Sequence, residues 1–97
     1  PPPMIDVRTA TEFGKSHIPG AIHVPLQDLP GRLPELGLNP GDEIVVLCLS
    51  AHRSIPAVRL LRDRGYPRAA QLRAGMNAWW RAGLPTATGR QQRSSKR

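Results

Sequence analysis

Cysteine is almost missing from this sequence. Cys48 is the only one in 97 residues, so an internal disulfide is impossible. Nothing points to an oxidising compartment, and a cytoplasmic setting is the expectation. Soft metal ligands are equally thin. His17, His23 and His52 show no metal-type spacing with Cys48, and no metal is expected. No apolar run approaches the ~20 residues that cross a bilayer; the longest strong one covers Ile44–Leu49, so no membrane partner is expected. The opening PPPMIDVR has neither a basic start nor an apolar stretch and does not read as a secretory signal.

Acids are scarce too: seven against fourteen lysines and arginines, a net charge of +7. The final RQQRSSKR supplies Arg90, Arg93, Lys96 and Arg97, four of the seven, with no acid. Aromatic residues are only 4% of the chain and none is interleaved with that segment, which argues against stacking on nucleic-acid bases. The segment reads as a solvated tail, and the modest remaining excess suits a small anionic substrate. The bias of arginine over lysine fits a bacterial genome rich in GC. The length allows one core: a domain over residues 1–85, with residues 86–97 a basic, flexible tail.

Strand and helix signals alternate along the domain. MIDV (4–7) reads as a strand. Thr9 with Glu12 forms a capping box that opens a short helix. A Pro-Gly turn in HIPGAIHVP precedes a strand around Ala21–Val24. Leu26, Leu29, Leu33 and Leu36 keep helical spacing, but Pro30, Gly31 and Pro34 interrupt it. EIVVLC is the strongest strand, apolar enough for burial on both faces. SIPAVRLLRDRG (54–65) is the strongest helix, with Ser54 as its cap and Gly65 as its stop. A strand over 69–72 and a helix over 76–83 follow. The alternation predicts an α/β fold: a parallel sheet flanked by helices on both faces.

In such sheets ligands bind beyond the carboxyl ends of the strands, and Cys48 lies at that end of the most buried one. A loop entering a helix turns several backbone N–H groups toward one point, and the helix dipole favours negative charge there. A thiol in that place, beside an arginine, is biased toward the nucleophilic thiolate. Arg53 is able to hold two oxygens of an oxyanion. The competing reading makes Cys48 a small core hydrophobe.

IDVRTATEF, SHIPGAIHVPL, IVVLCLSAHRS and LRAGMNAWWRAGLP, in this order from Met4 to Pro85, resemble the single-domain rhodanese pattern of sulfurtransferases. The resemblance implies that Cys48 takes sulfane sulfur from a donor such as thiosulfate, forms a persulfide, and gives the sulfur to cyanide, a thiol or a sulfur-carrier protein. It implies that the loop of Leu49, Ser50, Ala51, His52 and Arg53 binds the substrate, and that Asp6 and Ser54 support the site; Arg8 either reaches substrate or, the favoured reading, braces the pocket in a structural salt bridge. No cofactor is implied. Glu12 and His17 match scaffold positions. His23 is expected to have no chemical role, and Trp79 to lie in the core. Related phosphatases use Cys-x5-Arg, whereas Cys48 and Arg53 are spaced Cys-x4-Arg, the sulfurtransferase form.

Three departures stand out. Ala51 occupies a position usually held by glycine, and carries strain if the backbone there has positive φ. Leu49 stands where active members often have arginine or another polar residue. Ala74 replaces the first of a frequent Gly-Gly pair, read as a packing adjustment. The usual strand and helix before IDVR are also expected to be lacking, leaving an open edge that favours self-association. The departures keep a second function in view, a weakly active or inactive binding module.

Overall fold

A computed structural model of the chain describes residues 1–90. Four short strands form one parallel sheet: β1 (Met4–Asp6), β2 (Ile22–His23), β3 (Ile44–Leu47) and β4 (Ala69–Gln71), in the order β2-β1-β3-β4. The register is set by Ile5 opposite Ile22 and Val46, and by Val46 opposite Gln71. Because every strand runs the same way, all carboxyl ends share one rim. Asp6, Leu47 and Gln71 end their strands there, and the residues that follow build the site.

The helices are α1 (Ala10–Lys15), α2 (Leu29–Arg32), α3 (Ser54–Asp63) and α4 (Gly75–Arg81). The proline-interrupted stretch is broken as expected: α2 is four residues long between two 3-10 turns, Leu26–Asp28 and Leu33–Leu36. Alternation along β3 separates two cores. Ile44, Val46 and Cys48 face α2 and α3, packing with Leu29, Leu33, Ala57 and Leu61. Leu47 faces the other way, toward Phe13 of α1 and Met76 of α4. Helices therefore cover both faces. Completely buried side chains such as Leu61 each contribute about 1.5–3 kcal/mol.

The turns follow their sequences. Gly20 (φ 86°) closes the Pro-Gly turn, with Ala21 N–H donating to Ile18 O. Gly65 (φ 102°) stops α3 in the left-handed region that glycine tolerates. The described chain stays packed beyond Pro85: His17 and Ala87 exchange backbone hydrogen bonds of 2.9 and 2.8 Å, and Gly89 N–H donates to Gly14 O. Of the tail expected over residues 86–97, residues 91–97 lie outside the described residues. No helix among the described residues is long and apolar enough to cross a membrane.

Candidate active site

The rim is assembled first by a buried ion pair. Arg8 donates through Nε and Nη2 to the two oxygens of Asp6, at 3.0 and 2.8 Å, and its backbone N–H donates to Asp6 Oδ1. Its Nη2 also donates to Ser16 O at the end of α1. Both residues are inaccessible, Asp6 0% and Arg8 2% exposed. Of the two readings of Arg8, this geometry gives the structural salt bridge, and the alternative contact with substrate is not open to a side chain so placed. Its fork is committed inside the protein, where it bolts the end of β1 to α1. Asp6 braces the rim as expected.

Cys48 follows β3 directly and is 1% exposed. Its side chain shares the Val46 face and sits in the core cluster above α3. Leu49, Ser50, Ala51, His52 and Arg53 then turn the chain into α3. The backbone N–H groups of residues 49–54 donate to no group among the described residues. These six consecutive donors, at the start of a ten-residue helix, are available to an anionic group.

Ser54 was expected to cap α3, but Arg53 is the cap residue and Ser54 lies inside the helix. The Ser54 hydroxyl points into the protein, 3.2 Å from Ala51 O and 2.8 Å from Gln71 Oε1. It ties the loop to β4, and no side chain competes for the free N–H groups of the helix start. Ala51 is not strained; Ala74 is the single non-glycine residue with positive φ among the described residues, at 59°. The backbone demand read for the active loop falls instead on the turn before α4. The reading of Ala74 as a packing adjustment is corrected accordingly.

That turn holds the loop from behind. Met76 N–H donates to Cys48 O at 3.0 Å and Asn77 N–H to Leu49 O at 3.1 Å. Gly75 is pressed so closely against the same carbonyl that an added Cβ would lie 2.1 Å from Cys48 O. The sequence reading passed over Gly75, although its place in the LRAGMNAWW motif was the available signal.

Arg53 is also held differently from the expectation. Its Nη1 and Nη2 donate to the two oxygens of Glu12, at 2.5 and 2.9 Å. Both terminal nitrogens are engaged, so the bidentate grip expected on a substrate oxyanion belongs instead to Glu12. Glu12 also closes its capping box, accepting from Thr9 N–H at 2.9 Å. The Arg53 hydrogen bonds are the main cause that lowers the Glu12 pKa from 4.5 to about 2, against desolvation, with Thr9 helping. Arg53 is raised in turn, first by Glu12, with smaller contributions from Cys48 and Asp6. The guanidinium is thus within electrostatic reach of the thiol. Glu12 was read as scaffold; it is scaffold for two elements.

A pH dependence follows. The folded pKa of Glu12 lies below its ordinary value, so the pair's stabilisation is complete above about pH 4.5 and fades as pH falls toward 2. Each side chain is 31% exposed, which limits the pair to roughly 1 kcal/mol. Urea unfolding of Glu12→Gln is expected to show that deficit at pH 7 and to lose most of it by about pH 2.5. A deficit that does not change with pH would show that the carboxylate charge is not what matters.

Two histidines and Trp79 pack around the Phe13 cluster of α1. His17 is buried, stacked on Phe13 at 3.7 Å between ring centroids, with Nδ1 2.7 Å from Phe13 O. His23 stacks on the same ring at 4.5 Å, and its Nε2 lies 2.8 Å from Arg8 O. Trp79 packs half-buried against the Phe13 cluster and donates through Nε1 to Pro85 O. His52 is exposed on the loop. Among the described residues no group of side chains could hold a metal ion.

Fold and site together define an α/β domain that places its one thiol at a turn whose backbone N–H groups have no partner among the described residues. The model of the rhodanese-like domain family matches residues 1–82, and the chain belongs to that family of sulfurtransferases. It is 39% identical over 83 residues to a sulfurtransferase of Allochromatium vinosum, covering 84% of this chain and 75% of that one. It is 38% identical over 76 residues to YrkF of Bacillus subtilis, whose name includes "sulfur carrier protein". That match covers 78% of this chain but 40% of the relative's length. In structure it is similar to the rhodanese_3 like domain of the Anabaena Alr3790 protein, with a TM-score of 0.85 and 28% identity, covering 98% of this chain and all of that one.

Proposed function

We propose that the chain transfers sulfane sulfur through a persulfide on Cys48, from a donor such as thiosulfate to cyanide, a thiol or a carrier protein. The observation that carries this reading is the run of six backbone N–H donors that begins beside the only thiol. A persulfide is an anion, and donors fixed by the fold stabilise it without reorganising.

The Cys48 thiolate attacks the outer sulfur of thiosulfate. The sulfur–sulfur bond of the donor breaks, and sulfite leaves with the bonding pair. Cyanide carbon, or an acceptor thiolate, then attacks the outer sulfur of Cys48–S–S⁻. Thiocyanate or a new persulfide departs and the Cys48 thiolate returns. No electrons are gained or lost overall. Ser54 and the Gly75 turn hold the loop in shape, Asp6 and Arg8 fix the neighbouring strand end to α1, and Arg53, fixed by Glu12, contributes positive charge. Because Cys48 is almost covered, a donor or acceptor must present its sulfur on a slender end.

The test is thiocyanate production. The chain is expected to form it from thiosulfate and cyanide, and Cys48→Ser to lower the rate by on the order of 10³-fold or more while keeping the fold. Activity that survives in Cys48→Ser contradicts the mechanism. A second reading, a binding module with little turnover, draws support from Leu49, 37% exposed at the loop, and from the commitment of Arg53 to Glu12. It predicts that Cys48→Ser leaves partner binding intact while the unmutated chain forms no thiocyanate.

A further inference from the structure

The charge of the chain is divided along its length. Residues 1–52 carry six acids against Arg8, Lys15 and Arg32. Residues 53–73 carry six arginines and the single acid Asp63. That basic segment is α3, β4 and their connection, so its charge gathers on one side of the fold.

A groove of ≈ 580 Å³ runs there between α3 and β4, and Arg59, Arg62 and Arg73 line it against the single acid Asp63. Arg8, Arg32, Arg53 and Arg68 each have a carboxylate partner. The three groove arginines have none among the described residues. Arg62 spends its Nε on Ala69 O and keeps its terminal nitrogens. One wall is β4, an edge strand paired only with β3. The end nearest the site is apolar: Val58 lines the groove and Ile55 is 47% exposed.

The groove also leads to the thiol loop. Ile55 lies two residues after Arg53, and Gln71 accepts the Ser54 hydroxyl that also bonds Ala51 O. Arg73 precedes the Ala74–Gly75 turn that grips the Cys48 carbonyl. A segment lying along β4 would therefore deliver its end to the loop. A small donor has no use for a site of this length. A protein that must thread a slender sulfur-bearing end toward a covered thiol does.

We infer that the α3–β4 groove is the docking surface for an acidic, extended segment of the protein that exchanges sulfur with Cys48. The sulfur part rests on the function proposed above; the docking part rests on the groove alone. Unpaired arginines along the path supply attraction from a distance and orient the segment, while Ile55 and Val58 give its end an apolar seat.

The probe is a fluorescent hexaglutamate peptide ending in cysteine, compared with its hexaglutamine counterpart, added to the full chain at low salt. The acidic peptide is expected to bind about tenfold tighter or better, and to lose that advantage as salt rises. Amide shifts are expected at Arg59, Ala70 and Gln71. The double variant Arg59→Glu, Arg73→Glu is expected to abolish the preference. Equal binding of the two peptides overturns the inference. So does a preference that survives in the double variant, since the basic C-terminal residues would then account for it. Delivery of sulfur from persulfidated Cys48 to the peptide thiol is followed separately. Binding without delivery faults the sulfur-transfer reading and leaves the groove standing; thiocyanate formation without peptide preference faults the groove alone.

Discussion

Gly75→Ala is expected to cost about 3 kcal/mol or more, the range of changes that force backbone apart. The new methyl group would sit 2.1 Å from Cys48 O and 3.0 Å from Leu49 O, both backbone atoms that cannot swing aside. Either α4 retreats, breaking the Met76 and Asn77 hydrogen bonds, or the loop carrying Cys48 is pushed out of place. A domain this small has about 5–10 kcal/mol in hand, so the melting temperature falls by roughly 12–24 °C. Sulfur transfer is lost even at temperatures where the variant stays folded. The neighbouring position has the opposite sign. Ala74 holds φ 59° with a β-carbon, so Ala74→Gly is expected to stabilise by up to about 1 kcal/mol, the relief of strain exceeding the entropy glycine adds to the unfolded chain. Calorimetry of both variants checks the pair, and an unchanged melting temperature for Gly75→Ala would mean the turn does not grip the loop.

Asp6→Ala is expected to be as damaging for an electrostatic reason. It leaves the Arg8 guanidinium, 2% exposed, in an apolar interior without its carboxylate. Removing one partner of a buried pair costs about 3–5 kcal/mol, because the other charge stays desolvated. The Ser16 carbonyl is too weak a substitute. The double change Asp6→Ala, Arg8→Met removes the stranded charge and is expected to recover a large part of the loss. Denaturant midpoints of the single and double variants test this. If the double variant is the less stable by the sum of two separate losses, the penalty comes from packing and not from the charge.

Features that live within a few residues of one another were legible from the sequence. The apolar run before Cys48, the Thr9–Glu12 capping box, the prolines within 26–38 and the Gly65 stop all act over about one turn, and each appears where it was read. The parallel order followed from alternation. Contacts that depend on crossovers were not legible. Glu12 and Arg53 are 41 residues apart, and nothing local in either marks the other. Ser54 looked like a cap because it precedes a helix, yet a partner 17 residues away on β4 draws its hydroxyl inward. A positive φ at Ala51 was raised as a condition, because alanine stands there where glycine is usual, and the condition is not met. The turn at Ala74, which must bring Gly75 against Cys48, carries it instead.

Whether the N–H cradle holds sulfur is settled most directly by intact-protein mass spectrometry of the chain after incubation with thiosulfate, then with cyanide. The mass is expected to rise by one sulfur atom, located on Cys48 by peptide mapping, and to return on adding cyanide. Persistence of the unmodified mass with thiosulfate and with a protein persulfide donor alike would contradict sulfur transfer through Cys48.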